Sequence, residues 1–191
     1  STQAKLLSNY LNIPYLSTGE LFRELAKKDS EIKEYLERGK YVPDELVNKI
    51  VGEFLKREKD LILDGYPRTL EQAKYIEEIG VNIDFVIYFL VDEEMLIKRL
   101  LYRMVCPNCR ENYNIYFKKP KNDELCDNCN IKLEKRVDDT EENIRKRNKE
   151  YLEKTKPLIN FYKSKGILYE VDANKSVDET FQNLISIFRK K

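Results

Sequence analysis

The sequence has 191 residues, with 35 Lys and Arg against 34 Asp and Glu and a formal net charge of +1. That balance argues against a polyanion or a membrane surface as partner, and no apolar run approaches the ~18–20 residues of a membrane span. There is no histidine and there are four cysteines, which excludes Ser-His and Cys-His nucleophile chemistry and histidine metal sites and leaves arginine, lysine, carboxylates, or a metal held by thiolates.

In chain order, residues 2–12 read as a helix, followed by a short strand at Tyr15 and Leu16. Ser17 or Thr18 can cap a helix to about Lys28, and a second helix after Asp29 or Ser30 stops at Gly39. Pro43 suits the first turn of DELVNKIVGEFLKRE. LILD at 61–64 is a buried strand that ends in a carboxylate, GYPRT breaks the structure, and LEQAKYIEEIG is a helix ending at Gly80. DFVIYFLV is the clearest strand, apolar on both faces as in a covered parallel sheet. DEEMLIKRLLYRM is expected to be a helix that puts Arg99 and Arg103, four apart, on one face. Residues 105–139 form a separate lobe with a hairpin in NYNIYF. Residues 140–164 are expected to be one long helix, ILYEV a last strand, and Ser176 the start of a closing helix. Strands alternate with helices, so the core is α/β with a mainly parallel sheet that binds ligands at its carboxyl strand ends.

CPNC and CDNC place Cys106, Cys109, Cys126 and Cys129 in a C-x₂-C-x₁₆-C-x₂-C pattern. Two such knuckles fit one tetrahedral zinc, which would staple a lobe too small to bury a core. Two disulfides or four separate thiols are the alternative, disfavoured in the cytoplasm, where a chain without a visible signal peptide is placed by default. Zinc ribbons also bind nucleic acid, but the mixed charge of this lobe and its place inside an α/β core argue against that. In LILDGYPRT a strand-end carboxylate, Asp64, precedes a glycine turn and then Arg68, an arrangement suited to Mg²⁺ and phosphate. Any one such arginine is, by itself, more often a surface ion pair.

STGELFR, ERGKYVPDELV, LILDGYPRTLEQA, the cysteine lobe, KRVDDTEENIRKR and YEVDANK, in this order, resemble the bacterial adenylate kinases with a long, zinc-binding lid. The resemblance implies a P-loop-type nucleoside monophosphate kinase core of residues 1–16, 43–102 and 141–191, a monophosphate-binding lobe of 17–42 and a zinc-binding lid of 103–140. It implies reversible phosphoryl transfer from ATP to AMP to give two ADP, structural Zn²⁺, Mg²⁺ with ATP, no nucleic acid or membrane partner, and a monomer. AMP is expected against Thr18, Gly19, Arg23, Lys40, Tyr41, Val42, Gly65, Tyr66, Pro67, Arg68 and Gln72, with Gln72 reading the adenine edge. ATP is expected against Ser1, Thr2, Arg99, Arg103, Asn112, Tyr113 and Lys175. Arg136 and Arg147 would close on the phosphates between the nucleotides, Asp138 and Asp139 would serve lid closure, and Asp64 the Mg²⁺ shell through water.

Members of this family carry a buried strand and a G-x-x-x-x-G-K phosphate loop ahead of the segment that STQAKLL matches. The expectation is therefore that roughly a dozen residues precede Ser1 in the protein, and that a chain starting at Ser1 lacks the main phosphate cradle. The alternatives are a kinase for another nucleoside monophosphate and a catalytically silent nucleotide-binding remnant with a zinc ribbon.

Overall fold

The computed structural model describes residues 2–189. Helix α1 (Thr2–Leu11) ends on Asn12, which takes the left-handed conformation that asparagine tolerates (φ 56). Strand β1 (Tyr15–Ser17) follows and pairs in parallel with β2 (Ile62–Asp64), with Ser17 opposite Asp64. A second parallel pair joins β3 (Val86–Leu90) to β7 (Leu168–Asp172). Among the described residues no ladder links the two pairs. They meet through side chains: Ile62 of β2 and Ile87 and Phe89 of β3 pack with Leu7, Val171, Leu184 and Ile185 into one apolar core.

Helices α2 (Thr18–Leu25) and α3 (Ser30–Glu37) stand out from the first pair. Asp29 caps α3 by accepting from Glu31 N and Ile32 N, and Gly39 closes it at φ 67. Ser17 makes no cap bond, and α2 ends short of Lys28. Phe22 and Ile32 bury against Val47, Val51 and Leu55 of α4 (Asp44–Arg57) and Ile76 of α5 (Leu70–Glu78), which forms a second core. Thr69 caps α5 by accepting from Gln72 N.

Two expected helices change course. Helix α6 (Glu93–Leu101) stops at Tyr102, and Arg103–Val105 is strand β4, antiparallel to β5 (Asn112–Asn114) on one side and β6 (Glu134–Lys135) on the other. Backbone pairing with residues distant in sequence overrides the helical spacing of KRLLYR. The long helix over 140–164 is α7 (Glu141–Glu150), a π-helical turn (Tyr151–Thr155) and α8 (Pro157–Ser164). Lys156 N donates to Tyr151 O at 2.9 Å, a bond over five residues, just before Pro157, which has no N–H to offer. Helix α9 (Val177–Arg189) packs against α1, with the rings of Tyr10 and Phe181 edge-on at 6.0 Å.

Candidate functional site

The DGYPR segment leaves β2 in a tight turn. Gly65 sits at φ 84, and a Cβ there would lie 2.8 Å from both Arg68 Nη2 and Thr18 Oγ1. The missing side chain lets three groups crowd together. Buried Thr18 donates to Gly65 O at 2.9 Å, and Arg68 Nε donates to the same carbonyl at 2.8 Å. The Tyr66–Pro67 peptide is cis, and Tyr66, itself buried, donates to Asn48 Oδ1 at 2.7 Å. The Arg68 guanidinium lies over the Tyr41 ring, 5.2 Å from its centroid.

Gln72 is only 2% exposed. Its amide oxygen accepts from Arg68 N at 2.7 Å, and its amide nitrogen donates to Asp44 Oδ1 at 2.7 Å. In this conformation the side chain buttresses the GYPR turn. Tyr41 N donates to Glu150 Oε2 at 2.8 Å, Val42 is buried in the α2–α5 core, and Lys40 is exposed. Asp64, at the carboxyl end of β2, is near enough to the Tyr15 hydroxyl to help raise its pKa to about 12, together with burial and Glu20.

A second group of residues gathers from four elements. Arg103 of β4 grips Asp139 at both ends, Nε to Oδ2 at 2.8 Å and Nη2 to Oδ1 at 2.6 Å. Arg147 of α7 donates to Asp138 Oδ2 at 2.5 Å. Arg136 donates to Asn112 Oδ1 at 2.9 Å, while its buried Nε has no partner among the described residues. Burial, with the charges of Arg103 and Arg23 beside it, pushes the Arg136 pKa down to about 9, so it remains a cation at neutral pH. Burial also lowers the pKa of Arg23 on α2, against the pull of Asp138. Its guanidinium nitrogens lie 3.4 Å from where a Gly19 Cβ would stand. Four arginines thus gather around Asp138 and Asp139, with Glu20 also near Arg23. That excess of buried positive charge suits an anion carrying several charged oxygens.

Arg99 and Arg103 do not share a face. Arg99 turns to the loop after β7, donating to Ala173 O at 2.6 Å and Lys175 O at 3.0 Å, with its guanidinium 5.1 Å from the Phe117 centroid. Along β5, side chains alternate between faces. Asn112 meets Arg136 and Asn114 donates to Arg99 O at 2.9 Å, whereas Tyr113 points the other way. Tyr113 is 3% exposed, lies 3.5 Å from Cys126 Sγ and accepts from Asp127 N at 2.9 Å. The Tyr113 side chain thus lies in the core of the cysteine lobe. Thr2 opens α1, and Ser1 lies outside the described residues.

The sulfurs of Cys106, Cys109, Cys126 and Cys129 all lie within 4.8 Å of one another. Two matching knuckles bring them there: Arg110 N donates to Cys106 O at 3.1 Å and Asn130 N to Cys126 O at 2.8 Å, both residues in the left-handed conformation. Four thiolates around a tetrahedral zinc at ~2.3 Å stand about 3.8 Å apart, so the set can hold one metal ion with little movement.

Three contacts join the cysteine lobe to α1 and α2: Arg110 pairs with Glu24, Lys5 Nζ donates to Arg110 O at 3.2 Å, and Lys5 lies 3.9 Å from Glu111. Lys5 also lies 3.9 Å from Glu20, which ties α1 to α2. Lys5, Asp44 and Glu150 were not visible as site residues in the sequence, since their partners lie far along the chain and leave no local spacing. No described helix is long and apolar enough to cross a membrane.

A family model described as adenylate kinase matches residues 1–167. The adenylate kinase of Thermotoga petrophila is 43% identical over 198 residues, covering 97% of this chain and 90% of the relative. That of Archaeoglobus fulgidus is 42% identical over 200 residues, covering 99% and 92%. That of Mycoplasma capricolum is 43% identical over 193 residues, covering 96% and 91%.

Proposed function

The chain belongs to the adenylate kinase family, and we propose that it transfers phosphoryl groups between ATP and AMP across the two arginine-bearing faces described above. The observation that carries this assignment of residues is the meeting of Arg23, Arg103, Arg136 and Arg147 around Asp138 and Asp139, an excess of positive charge that Glu20 beside Arg23 does not cancel. Phosphoryl transfer asks mainly for alignment and for neutralisation of charge on the moving group, so the lack of histidine is no obstacle to the reaction.

On this reading residues 17–42 form the acceptor lobe, 103–140 the lid, and 1–16, 43–102 and 141–191 the core. Arg68 holds the AMP phosphate from a turn already fixed by Gly65, Thr18 and Gln72. Thr18, Gly19, Arg23 and the 40–42 backbone complete that side. Gln72 reads adenine only by turning its amide toward the base, at the cost of its bond to Asp44. On the donor side Arg99 and the Lys175 loop face the adenine end, and Arg103, Arg136 and Arg147 face the phosphates. In the free protein Asp139 holds Arg103, Asp138 holds Arg147, and Asn112 holds Arg136. Incoming phosphate oxygens take over these guanidiniums, and the lid closes and excludes water. Asp64 fits a magnesium ion that keeps most of its waters, as a single carboxylate at a strand end; the ion would supply charge neutralisation at the donor phosphates. The four cysteines fit zinc as a structural staple, with no open position for chemistry.

The test couples ADP formation to substitutions at Arg68. Arg68→Ala is expected to lower turnover at least ~10²-fold with little loss of stability, and Arg68→Lys to recover little, because the forked guanidinium is lost. Full activity in Arg68→Ala removes Arg68 from the site, and full activity in Arg68→Lys alone removes the need for the forked geometry.

A further inference from the structure

Both ends of Arg68 are held by one side chain outside the acceptor turn. Thr155, the last residue of the π-helical turn, donates its hydroxyl proton to Arg68 O at 2.8 Å. The same Oγ1 lies 3.2 Å from the Tyr41 hydroxyl. A threonine hydroxyl has a single proton, and here it is spent on the carbonyl, so in this second bond Tyr41 is the donor. The Tyr41 ring in turn carries the Arg68 guanidinium on its face at 5.2 Å. The contacts form a closed circuit from Arg68 carbonyl to Thr155, to the Tyr41 hydroxyl, to the Tyr41 ring and back to the Arg68 guanidinium. Glu150, one turn earlier, anchors the Tyr41 backbone from the same helix.

The π-helical turn aims this hydroxyl. Its wider winding adds a residue relative to regular helix, and without it the side chain at position 155 would lie about 100° further round the axis. Pro157 ends the irregular stretch and starts α8, so the aim is set by backbone geometry.

We propose that Thr155 is a positioning residue for the acceptor phosphate: through its bonds to Arg68 and Tyr41 it sets, together with the Gly65 carbonyl that accepts from Arg68 Nε, the direction of the Arg68 guanidinium, and with it the affinity for the nucleoside monophosphate. The proposal rests on the reading of Arg68 as the holder of that phosphate. Thr155 itself touches no substrate. Its effect falls on one substrate only, since Tyr41 and Arg68 both belong to the acceptor side. It also responds to the hydroxyl and not to side-chain volume.

The experiment measures AMP and ATP binding by calorimetry on the full chain and on Thr155→Val, Thr155→Ala and Thr155→Ser, each alone and with Arg68→Ala. Loss of a hydrogen bond that orients a charged group predicts about tenfold weaker AMP binding in Thr155→Val, with ATP binding unchanged. Thr155→Ser restores AMP binding to within about twofold, since it keeps the hydroxyl. In the Arg68→Ala background, itself impaired for AMP, Thr155→Val has no further effect. Thr155→Ala gives the same answer if the valine branch disturbs the helix. The proposal falls if Thr155→Val and Thr155→Ala bind AMP normally, if Thr155→Ser does not restore binding, if ATP weakens equally, or if the loss persists without Arg68. Normal AMP binding by Arg68→Ala alone would overturn the reading of Arg68 itself. Impaired binding by that variant beside normal Thr155 variants would overturn only the role of Thr155.

Discussion

Arg103 and Asp139 are joined by two parallel hydrogen bonds, 2.8 and 2.6 Å, across the junction between the cysteine lobe and α7. Asp139 is 3% exposed at its side chain and Arg103 20%, so the pair is largely shielded from solvent. Removing one partner of such a pair strands the other. Asp139→Ala is expected to destabilise the protein by about 3 kcal/mol in urea unfolding, and Asp139→Asn by less, because the amide oxygen still accepts one of the two bonds. Equal losses would mean that charge alone holds the pair.

Asp138 gives the free protein a pH dependence. Burial tends to raise its pKa, but the Arg147 hydrogen bond and charge, with Arg23 nearby, outweigh this and hold it below the usual 3.8. A carboxyl with a depressed folded-state pKa contributes stability that is fully present above the unfolded value and is lost as pH falls through the folded value. The melting temperature is therefore expected to fall as pH drops below about 4, with a shallower fall in Asp138→Asn. Identical profiles for the two proteins would remove Asp138 from the acid transition.

Arg136 is costly to the free protein, being buried, surrounded by Arg103 and Arg23, and without a partner at Nε among the described residues. Arg136→Met is expected to raise unfolding stability by up to about 1 kcal/mol. The same change is expected to lower turnover at least ~10²-fold, because a cation facing the transferred group is lost. A variant both less stable and equally active would show that Arg136 serves the fold.

At position 65 any side chain meets two obstacles, a left-handed backbone and two atoms at 2.8 Å. Gly65→Ala is expected to cost about 1–3 kcal/mol of stability and to weaken AMP binding, since Arg68 must move aside. Calorimetric titration of AMP against the variant checks both effects.

Metal removal is the fifth measurement. Elemental analysis is expected to find one zinc per chain. A strong chelator, or Cys109→Ser, is expected to lower the melting temperature by more than about 5 °C. A protein with four reduced thiols and no metal would overturn the zinc assignment.

Gln72→Leu separates two roles. If the amide reads adenine, the variant loses its preference for AMP over CMP and UMP. If the amide only braces Arg68 N and Asp44, affinity falls for all three alike and selectivity stays.

Local signals in the sequence carried far. Asp29 is a cap that its place ahead of the helix discloses, the apolar DFVIYFLV forms a strand parallel to β7 although it is half-buried and Leu90 is exposed, and C-x₂-C-x₁₆-C-x₂-C brought its sulfurs together as its spacing requires. What stayed hidden depends on partners remote in the chain. Arg103 is helical by its spacing and extended in fact, because residues 112–114 and 134–135 offer it a sheet. Tyr113 shares a strand with Asn112 and faces away from it, a matter of alternation that the motif alone does not orient. The π-helical turn looks like ordinary helix in KEYLEKTKP, and only the bond from Lys156 to Tyr151 distinguishes it.

The link of Lys5 and Arg110 to Glu20, Glu24 and Glu111 is made of partly exposed charges where the cysteine lobe meets α1 and α2. Such pairs contribute at most about 1 kcal/mol each and weaken as ions accumulate, with a screening length of about 8 Å at physiological ionic strength. The surrounding electrolyte thus becomes a throttle on how readily the cysteine lobe and α2 part from each other. Raising potassium chloride should speed opening without touching a single residue that faces the phosphates, so a turnover limited by product escape would first climb with salt and decline only when nucleotide capture begins to suffer.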